Sequence, residues 1–419
     1  MKYSGLKGMQ DLLPPESDLW QRVETAAQGV FRLYGYQEMR MPLLESTDLF
    51  IRSIGETTDI VEKEMYTFQD KAGRSVTLRP EGTASAVRAF IEHGLHTLPS
   101  PQKFYYCGPM FRYERPQKGR FRQFHQIGAE AFGAAQPSID AEIIAMLRNL
   151  LQNLGLKELN FELNSIGCQD CRPDYRTALL GFFKDRLGDF CPDCQRRYVT
   201  NPLRILDCKV ARCVELRAGA PFVTDFLCSH CRVHFEGLLT RLTALKVRHT
   251  LNPNLVRGLD YYTRTTFEVT SEHLGAQKAV AAGGRYDRLV EEFGGPPTHA
   301  IGFAVGMERL VTLLKGISEM QHPAPRVFIA ALGDAAEIEG LRLAEELRRE
   351  GYWAEPHYGG TSLKSQLRRA DRLGADYALI IGDDELASGM VKWKNLKEGT
   401  QGEIPLAEVP ELIRPRPGV

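Results

Sequence analysis

Residues 102–130 read QKFYYCGPMFRYERPQKGRFRQFHQIGAE, and the pattern in this stretch organises the rest of the chain. It begins with residues of high strand propensity, Phe104, Tyr105, Tyr106 and Phe111. A polar break follows, Arg115-Pro116-Gln117-Lys118-Gly119, and a second run resumes at Arg120-Phe121-Arg122-Gln123-Phe124. Two antiparallel strands joined by a charged loop give this pattern. Side chains alternate faces along a strand. Met110, Arg112 and Glu114 therefore share one face of the first strand, and Phe124, Gln126, Gly128 and Glu130 one face of the second. If the register brings those faces together, Arg112, Gln126 and Glu130 line one floor; register itself is not encoded in the alternation. Arg112, Arg115, Lys118, Arg120 and Arg122 place five cations in eleven residues, which suits a phosphate chain or nucleic-acid backbone. The plainer reading is a charged, solvated hairpin edge that blocks strand addition.

The 419 residues suggest about three domains at roughly 150 residues each. A hydrophobic fraction of 43% supplies sizeable cores. Lys plus Arg equals Asp plus Glu at 53 each, so a nucleic-acid partner would have to be held by local patches. No apolar run reaches the ~20 residues of a membrane span, and the start, MKYSGLKGMQDLLPPES, lacks an apolar signal core. A cytoplasmic protein with no membrane partner is expected. Nine cysteines in such a chain point to thiols or metal ligands rather than to a disulfide framework.

Leu19, Val23, Ala26, Val30 and Leu33 recur at helical spacing up to Gly35, and Tyr36 to Met41 then reads as a strand ending at Pro42. Ser75 to Arg79 is a short strand running through Pro80-Glu81-Gly82-Thr83 into a helix, with Glu81 at the helix start favoured by the dipole. Asp140 opens a helix with Ile144, Leu147, Leu151 and Leu154 on one face and Gly155 at its end. Glu158 to Asn164 is a further strand.

Eight of the nine cysteines fall between Cys168 and Cys231, with Cys-x-x-Cys pairs at 168/171, 191/194 and 228/231. Two such pairs can close a tetrahedral zinc site. Cys191, Cys194, Cys228 and Cys231 are taken as the candidate ligands of a structural zinc, with Cys208 and Cys213 as spare candidates; cytosolic thiols in a helical insert are the alternative.

The segment Asn254-Leu255-Val256-Arg257-Gly258-Leu259-Asp260-Tyr261-Tyr262 is a loop with a Gly turn entering a strand, Tyr262 to Val269. Ala281-Ala282-Gly283-Gly284-Arg285-Tyr286-Asp287 lacks the spacing of a P-loop or dinucleotide fingerprint. A strand from Ala300 to Val305 leads to a helix at Gly306-Met307-Glu308-Arg309-Leu310, and Arg309 in a first turn is well placed for phosphate. Residues 316–325 read as a linker. Beyond it strands 326–332, 352–355 and 377–381 alternate with helices 335–350 and 361–373, the pattern of a small α/β domain with a mainly parallel sheet. That domain carries 13 Lys/Arg against 16 Asp/Glu, and Lys364, Arg368 and Arg372 share one helix face.

Together, LRPEGTA at 78–84, GPMFRYERPQKGRFRQFHQ at 108–126, LVRGLDYY at 255–262, GGRYD at 283–287 and GMERL at 306–310 resemble the histidyl-tRNA synthetases, a family of class II aminoacyl-tRNA synthetases. The resemblance spans essentially the whole chain. It implies an α/β protein with an α+β, antiparallel-sheet catalytic core at 1–167 and 249–318. It further implies a cysteine-rich helical insertion at 168–248 and an anticodon-binding domain at 326–419. It implies Arg112, Arg257 and Arg309 as the groups acting on ATP in catalysis, with Mg2+ on the outer phosphates. Glu81, Gly82, Thr83, Gln126, Glu130, Tyr261, Tyr262 and Tyr286 are implied as histidine contacts, and Arg115 and Gln117 as contacts to the acceptor end of tRNA(His). The long helix, strand and Pro42 resemble the family's homodimer-forming motif. The implied activity is ATP-dependent ligation of L-histidine to tRNA. A paralogous regulatory subunit of ATP phosphoribosyltransferase, and a zinc-dependent RNA-binding module, are the competing readings.

Overall fold

The computed structural model describes residues 3–55, 58, 60–117, 119–274, 278–317 and 324–414. Lys118, one of the five loop cations, and much of the expected linker fall outside these residues. The chain divides into two compact units, Met1–Met320 and Gln321–Val419.

The first unit is built on one eight-stranded sheet. Its strands run in the order Gln37–Glu38, Gln102–Phe111, Gln123–Phe132, Ala300–Gly306, Ala279–Arg285, Thr263–Thr270, Asn160–Ser165 and Thr250–Leu251. The six central strands pair antiparallel, and a two-residue parallel strand finishes each edge. The hairpin read from sequence supplies two of the longest strands. Its register sets Gly108 opposite Gln126, Met110 opposite Phe124 and Phe104 opposite Glu130. That is the register in which the two expected faces coincide.

Alternation then sorts the sheet. Ile127, Ala129 and Ala131 face a core shared with the helices Glu16–Leu33, Pro137–Asn153, Met307–Lys315 and Ser229–Ala244. Phe124, Gln126, Gly128, Glu130 and Phe132 occupy the opposite face. The helix Thr83–Glu92 lies on that second side, packed through Val87 and Phe90 against Phe132, Tyr261, Tyr262 and Tyr286. Of the expected strand over Tyr36–Met41, only Gln37–Glu38 enters the sheet, since its sole neighbour is the edge of the hairpin.

Asp140 does not open its helix as expected. The helix starts at Pro137, where a fixed φ and a missing N–H are tolerated. Asp140 is fully buried and accepts bonds from Arg285 Nη1 at 2.9 Å and Thr265 Oγ1 at 2.6 Å, with His234 Nε2 at 2.9 Å. One carboxylate thus ties together the helices 137–153 and 229–244 and two sheet strands.

The inserted segment has its own core, running from Tyr175 through Phe183, Phe190, Ile205 and Leu206 to Val223. The helix Ser229–Ala244, which the bounds 168–248 implied by the resemblance place in the insertion, buries Phe235, Leu238 and Leu242 in the main core. The second unit carries a five-stranded sheet in the order Ala354–Pro356, Val327–Ala331, Tyr377–Ile381, Met390–Asn395 and Gln401–Pro405. The first three strands are parallel, as expected; the last two add antiparallel and were not read from sequence.

Candidate functional site

A cleft of about 330 Å³ opens on the second face of the large sheet, within the size range of small-molecule sites. Three segments distant in sequence deliver arginines to it: Arg112 at the end of the hairpin's first strand, Arg257 from the loop before Thr263, and Arg309 in the first turn of the helix Met307–Lys315. Glu81, Thr83, Gln126, Tyr261 and Tyr262 also line it, together with Glu114, Arg120 and Glu268.

Each arginine is held by fixed acceptors. Arg112 donates from Nε to Pro80 O at 2.8 Å, and its guanidinium lies 5.4 Å from the centre of the Phe124 ring. Arg257 donates from Nη1 to Glu268 Oε2 at 3.1 Å, while its buried Nε has no partner. Arg309 donates to Ala279 O at 2.8 Å and Gly119 O at 3.3 Å. Glu308 anchors that helix to the hairpin by accepting the His125 backbone N–H at 2.8 Å. Arg120 pairs with Glu114.

The electrostatics show a cation cluster. Burial lowers the pKa of Arg112, and Arg257 adds to that lowering. Burial likewise lowers Arg309, with Arg120 and Arg112 adding to it. At Arg257 burial works against the charge, yet Tyr262, Glu268 and Tyr261 outweigh it and the pKa is raised. Like charges held this close are stabilised by an anion placed among them.

Beside the arginines lies a polar pocket floor. Glu81 accepts the backbone N–H groups of Thr83 and Ala84, both at 2.8 Å, so it caps the helix as well as facing the cleft. Burial raises its pKa against the pull of those two bonds and of Arg112. Glu130 is completely buried beneath the floor, where Thr83 Oγ1 at 2.7 Å, Tyr286 Oη at 2.5 Å and Tyr106 Oη at 3.2 Å donate to it. Desolvation pushes its pKa up to about 8. Gly302 leaves room for this carboxylate, because a Cβ there would collide with it; at Gly82 a Cβ would enter the Tyr106 ring.

Among the residues singled out from sequence, Glu81, Thr83, Arg112, Gln126, Arg257, Tyr261, Tyr262 and Arg309 meet in the cleft. Gly82, Glu130 and Tyr286 sit behind it as its support. Arg115 and Gln117 are exposed on the hairpin loop, where Gln117 and Arg120 bridge through their backbones. Glu268, Tyr106, Asp207 and Lys209 were not singled out. Glu268 reaches the cleft because its strand pairs it with Ala282, and Asp207 and Lys209 arrive on the insertion. Neither placement has a local sequence signal.

The zinc set expected from sequence does not assemble. Cys191 and Cys194 gather with Cys208 and Cys213, and Cys228 and Cys231 gather with Cys168 and Cys171. The fold separates the two pairs because Cys228 begins the helix that packs on the main core, whereas Cys191 begins one inside the insertion.

An antiparallel sheet whose cleft gathers arginines from a hairpin end, a loop and a helix start is the arrangement that the resemblance to class II aminoacyl-tRNA synthetases implied. Comparison with known proteins carries this further. Residues 8–170 and 228–310 match the family described as Histidyl-tRNA synthetase, and residues 326–416 match the one described as Anticodon binding domain. The chain is 54% identical over 414 residues to a histidine–tRNA ligase of Thermodesulfovibrio yellowstonii, covering 99% of each. Its structure is similar to that of apo histidyl-tRNA synthetase from S. aureus, with a TM-score of 0.83 and 39% identity over 98% of this chain and 99% of that one. The chain belongs to the histidyl-tRNA synthetase family. An ATP phosphoribosyltransferase regulatory subunit/histidyl-tRNA synthetase from Bacillus halodurans shares the fold, at 22% identity and a TM-score of 0.66 over 91% of this chain and 98% of that one.

Proposed function

We propose that the cleft activates L-histidine with ATP and passes the histidyl group to tRNA(His). In the first step a histidine carboxylate oxygen bonds to the α-phosphorus as the bond to pyrophosphate breaks. In the second, a hydroxyl of the terminal ribose of tRNA attacks the carbonyl carbon, an ester forms and AMP leaves. The protein's work is positioning and charge stabilisation.

Arg112 and Arg257 hold the α-phosphate, and Arg309 clamps the nucleotide from the other side. Mg2+, when bound, neutralises the outer phosphates; Glu114 and Glu268, the carboxylates beside the arginines, are oxygen donors of the type it takes. Glu81, Thr83, Gln126, Tyr261 and Tyr262 seat the imidazole and ammonium of histidine. Gly82, Glu130 and Tyr286 hold that pocket in shape. A site that hydrogen-bonds both ring nitrogens discriminates strongly against apolar isosteres.

Arg115 and Gln117, exposed on the hairpin loop, meet the tRNA acceptor end. Lys364, Arg368 and Arg372, exposed along the helix Leu363–Arg372, are available to the anticodon arm. A homodimer forms at the short edge strand Gln37–Glu38, near which Leu33, Leu43 and Leu44 stand exposed. No helix among the described residues is long and apolar enough to cross a membrane, and we place the protein in the cytoplasm.

The observation that carries this reading is the meeting of Arg112, Arg257 and Arg309, from three separate segments, in one cleft. Histidine-dependent exchange of labelled pyrophosphate into ATP tests it. Exchange with histidine and not with other amino acids is expected. Its absence from folded protein would leave a fold without the activity, as in a regulatory paralogue.

A further inference from the structure

The insertion contains two separate groups of four cysteines, neither of which the proposed reaction uses. In the first, Cys168 and Cys171 come from the turn that leads out of the sheet strand Asn160–Ser165, and Cys228 and Cys231 from the start of the helix Ser229–Ala244. In the second, Cys191 and Cys194 open the helix Pro192–Thr200, Cys208 follows the short turn Pro202–Asp207, and Cys213 lies in the helix Ala211–Leu216.

Within each group the four sulfurs all lie within 4.8 Å of one another. Cys168 and Cys171 are 3.7 Å apart, Cys168 and Cys228 3.9 Å, and Cys191 and Cys208 3.9 Å. Four sulfurs at about 2.3 Å from a zinc ion stand about 3.8 Å apart at the corners of a tetrahedron. All nine cysteines are free thiols, so no disulfide competes for these sulfurs. Each group also holds a backbone donor to sulfur, which orients a thiolate ligand. The Cys228 N–H donates to Cys171 Sγ at 3.2 Å and the Cys191 N–H to Cys213 Sγ at 3.3 Å. Within each group two or three of the four cysteines are buried.

We propose that the chain binds two structural zinc ions, each through four thiolates, one at Cys168, Cys171, Cys228 and Cys231 and one at Cys191, Cys194, Cys208 and Cys213. The first ion clamps the two ends of the insertion where it leaves and rejoins the main core. The second closes the insertion's own small core, which includes Cys194, Cys208 and Cys213. A segment of about sixty residues gains little from apolar burial alone and commonly needs such a staple.

The two ions also brace one wall of the cleft. Cys208 lies between Asp207 and Lys209, which both line it. On the same insertion Arg204 donates to Arg257 O at 3.1 Å, Asn201 Nδ2 donates to Asp260 Oδ1 at 2.9 Å, and Arg172, next to Cys171, donates to Tyr262 O.

The test is metal content of the full chain, purified without chelator or metal-affinity resin, by mass spectrometry. Two zinc ions per chain are expected. The double variant C208S/C213S should retain one, and C171S/C231S should retain the other. Wild-type protein also needs no variant to fold: its zinc X-ray absorption should fit four sulfurs at about 2.3 Å. Cobalt-grown protein should show the strong visible bands of a tetrahedral thiolate site. One zinc per chain, none, or a fit that needs nitrogen or oxygen ligands would overturn the proposal.

Discussion

Replacing Arg257 by His probes the cleft where its charge matters most. The Arg257 side chain is 18% exposed, and it spends Nη1 on Glu268 while its Nε stays unpartnered. A guanidinium there can give the α-phosphate two charge-assisted bonds, each worth about 1.5–3 kcal/mol. Losing both costs about 3–6 kcal/mol, a fall of roughly 10²–10⁴ in rate. The shorter imidazole cannot span the same distance, and with an ordinary pKa of about 6.5 it carries less charge than a guanidinium at pH 8. It also leaves the Glu268 carboxylate facing the phosphates alone. The assay is histidine-dependent pyrophosphate exchange with saturating histidine, and kcat should carry the loss because the interaction strengthens as charge builds at phosphorus. Histidine binding, followed by calorimetry, should stay near the wild-type value. R257H exchanging within about threefold of wild type, a difference below 1 kcal/mol, would refute the role.

Three further outcomes follow from the same geometry. Glu130 has a folded pKa of about 8 against an ordinary 4.5, so its contribution to stability is fully present below pH 4.5 and is lost as pH rises through 8. Thermal melts of ligand-free E130Q should therefore change less between pH 5 and pH 8 than those of wild type, and an equal slope would contradict this. Arg285 and Asp140 are both fully buried and paired at 2.9 Å; R285M leaves the Asp140 carboxylate with Thr265 and His234 but without its buried cation and should cost about 3–5 kcal/mol, seen as a midpoint lowered by several degrees. Substituting Arg115 and Gln117 by Ala should lower tRNA charging while leaving pyrophosphate exchange intact, and equal losses in both assays would move these residues into the activation step.

Much of this architecture was legible because it rests on periodicity. The two-residue period of 102–130 separated Gln126 and Glu130 from Ile127 and Ala129 before any register was known, and the structure keeps that division. What sequence could not carry was pairing between distant segments. Glu268 beneath Arg257, and Asp140 among Arg285, His234 and Thr265, are satisfied only by tertiary neighbours. The cysteines failed for a related reason. The C-x-x-C spacing drew attention to three pairs, but Cys208 and Cys213 are separated by four residues and meet Cys191 only through the fold of the insertion. In the second unit, Met390–Asn395 does carry a two-residue period, Val391 and Trp393 alternating with Lys392 and Lys394, whereas the edge strand Gln401–Pro405 has only Ile404 to bury and shows no such pattern.

A crystal structure with a non-hydrolysable histidyl-adenylate analogue bound is the most direct check on the account. It should show Arg112 and Arg257 within hydrogen-bonding distance of the analogue's phosphate-like group, Arg309 against the nucleotide, and the imidazole above Glu81 and Gln126. An analogue seated elsewhere, or any of the three guanidinium groups turned away from it, would contradict the claim that one anion draws them together.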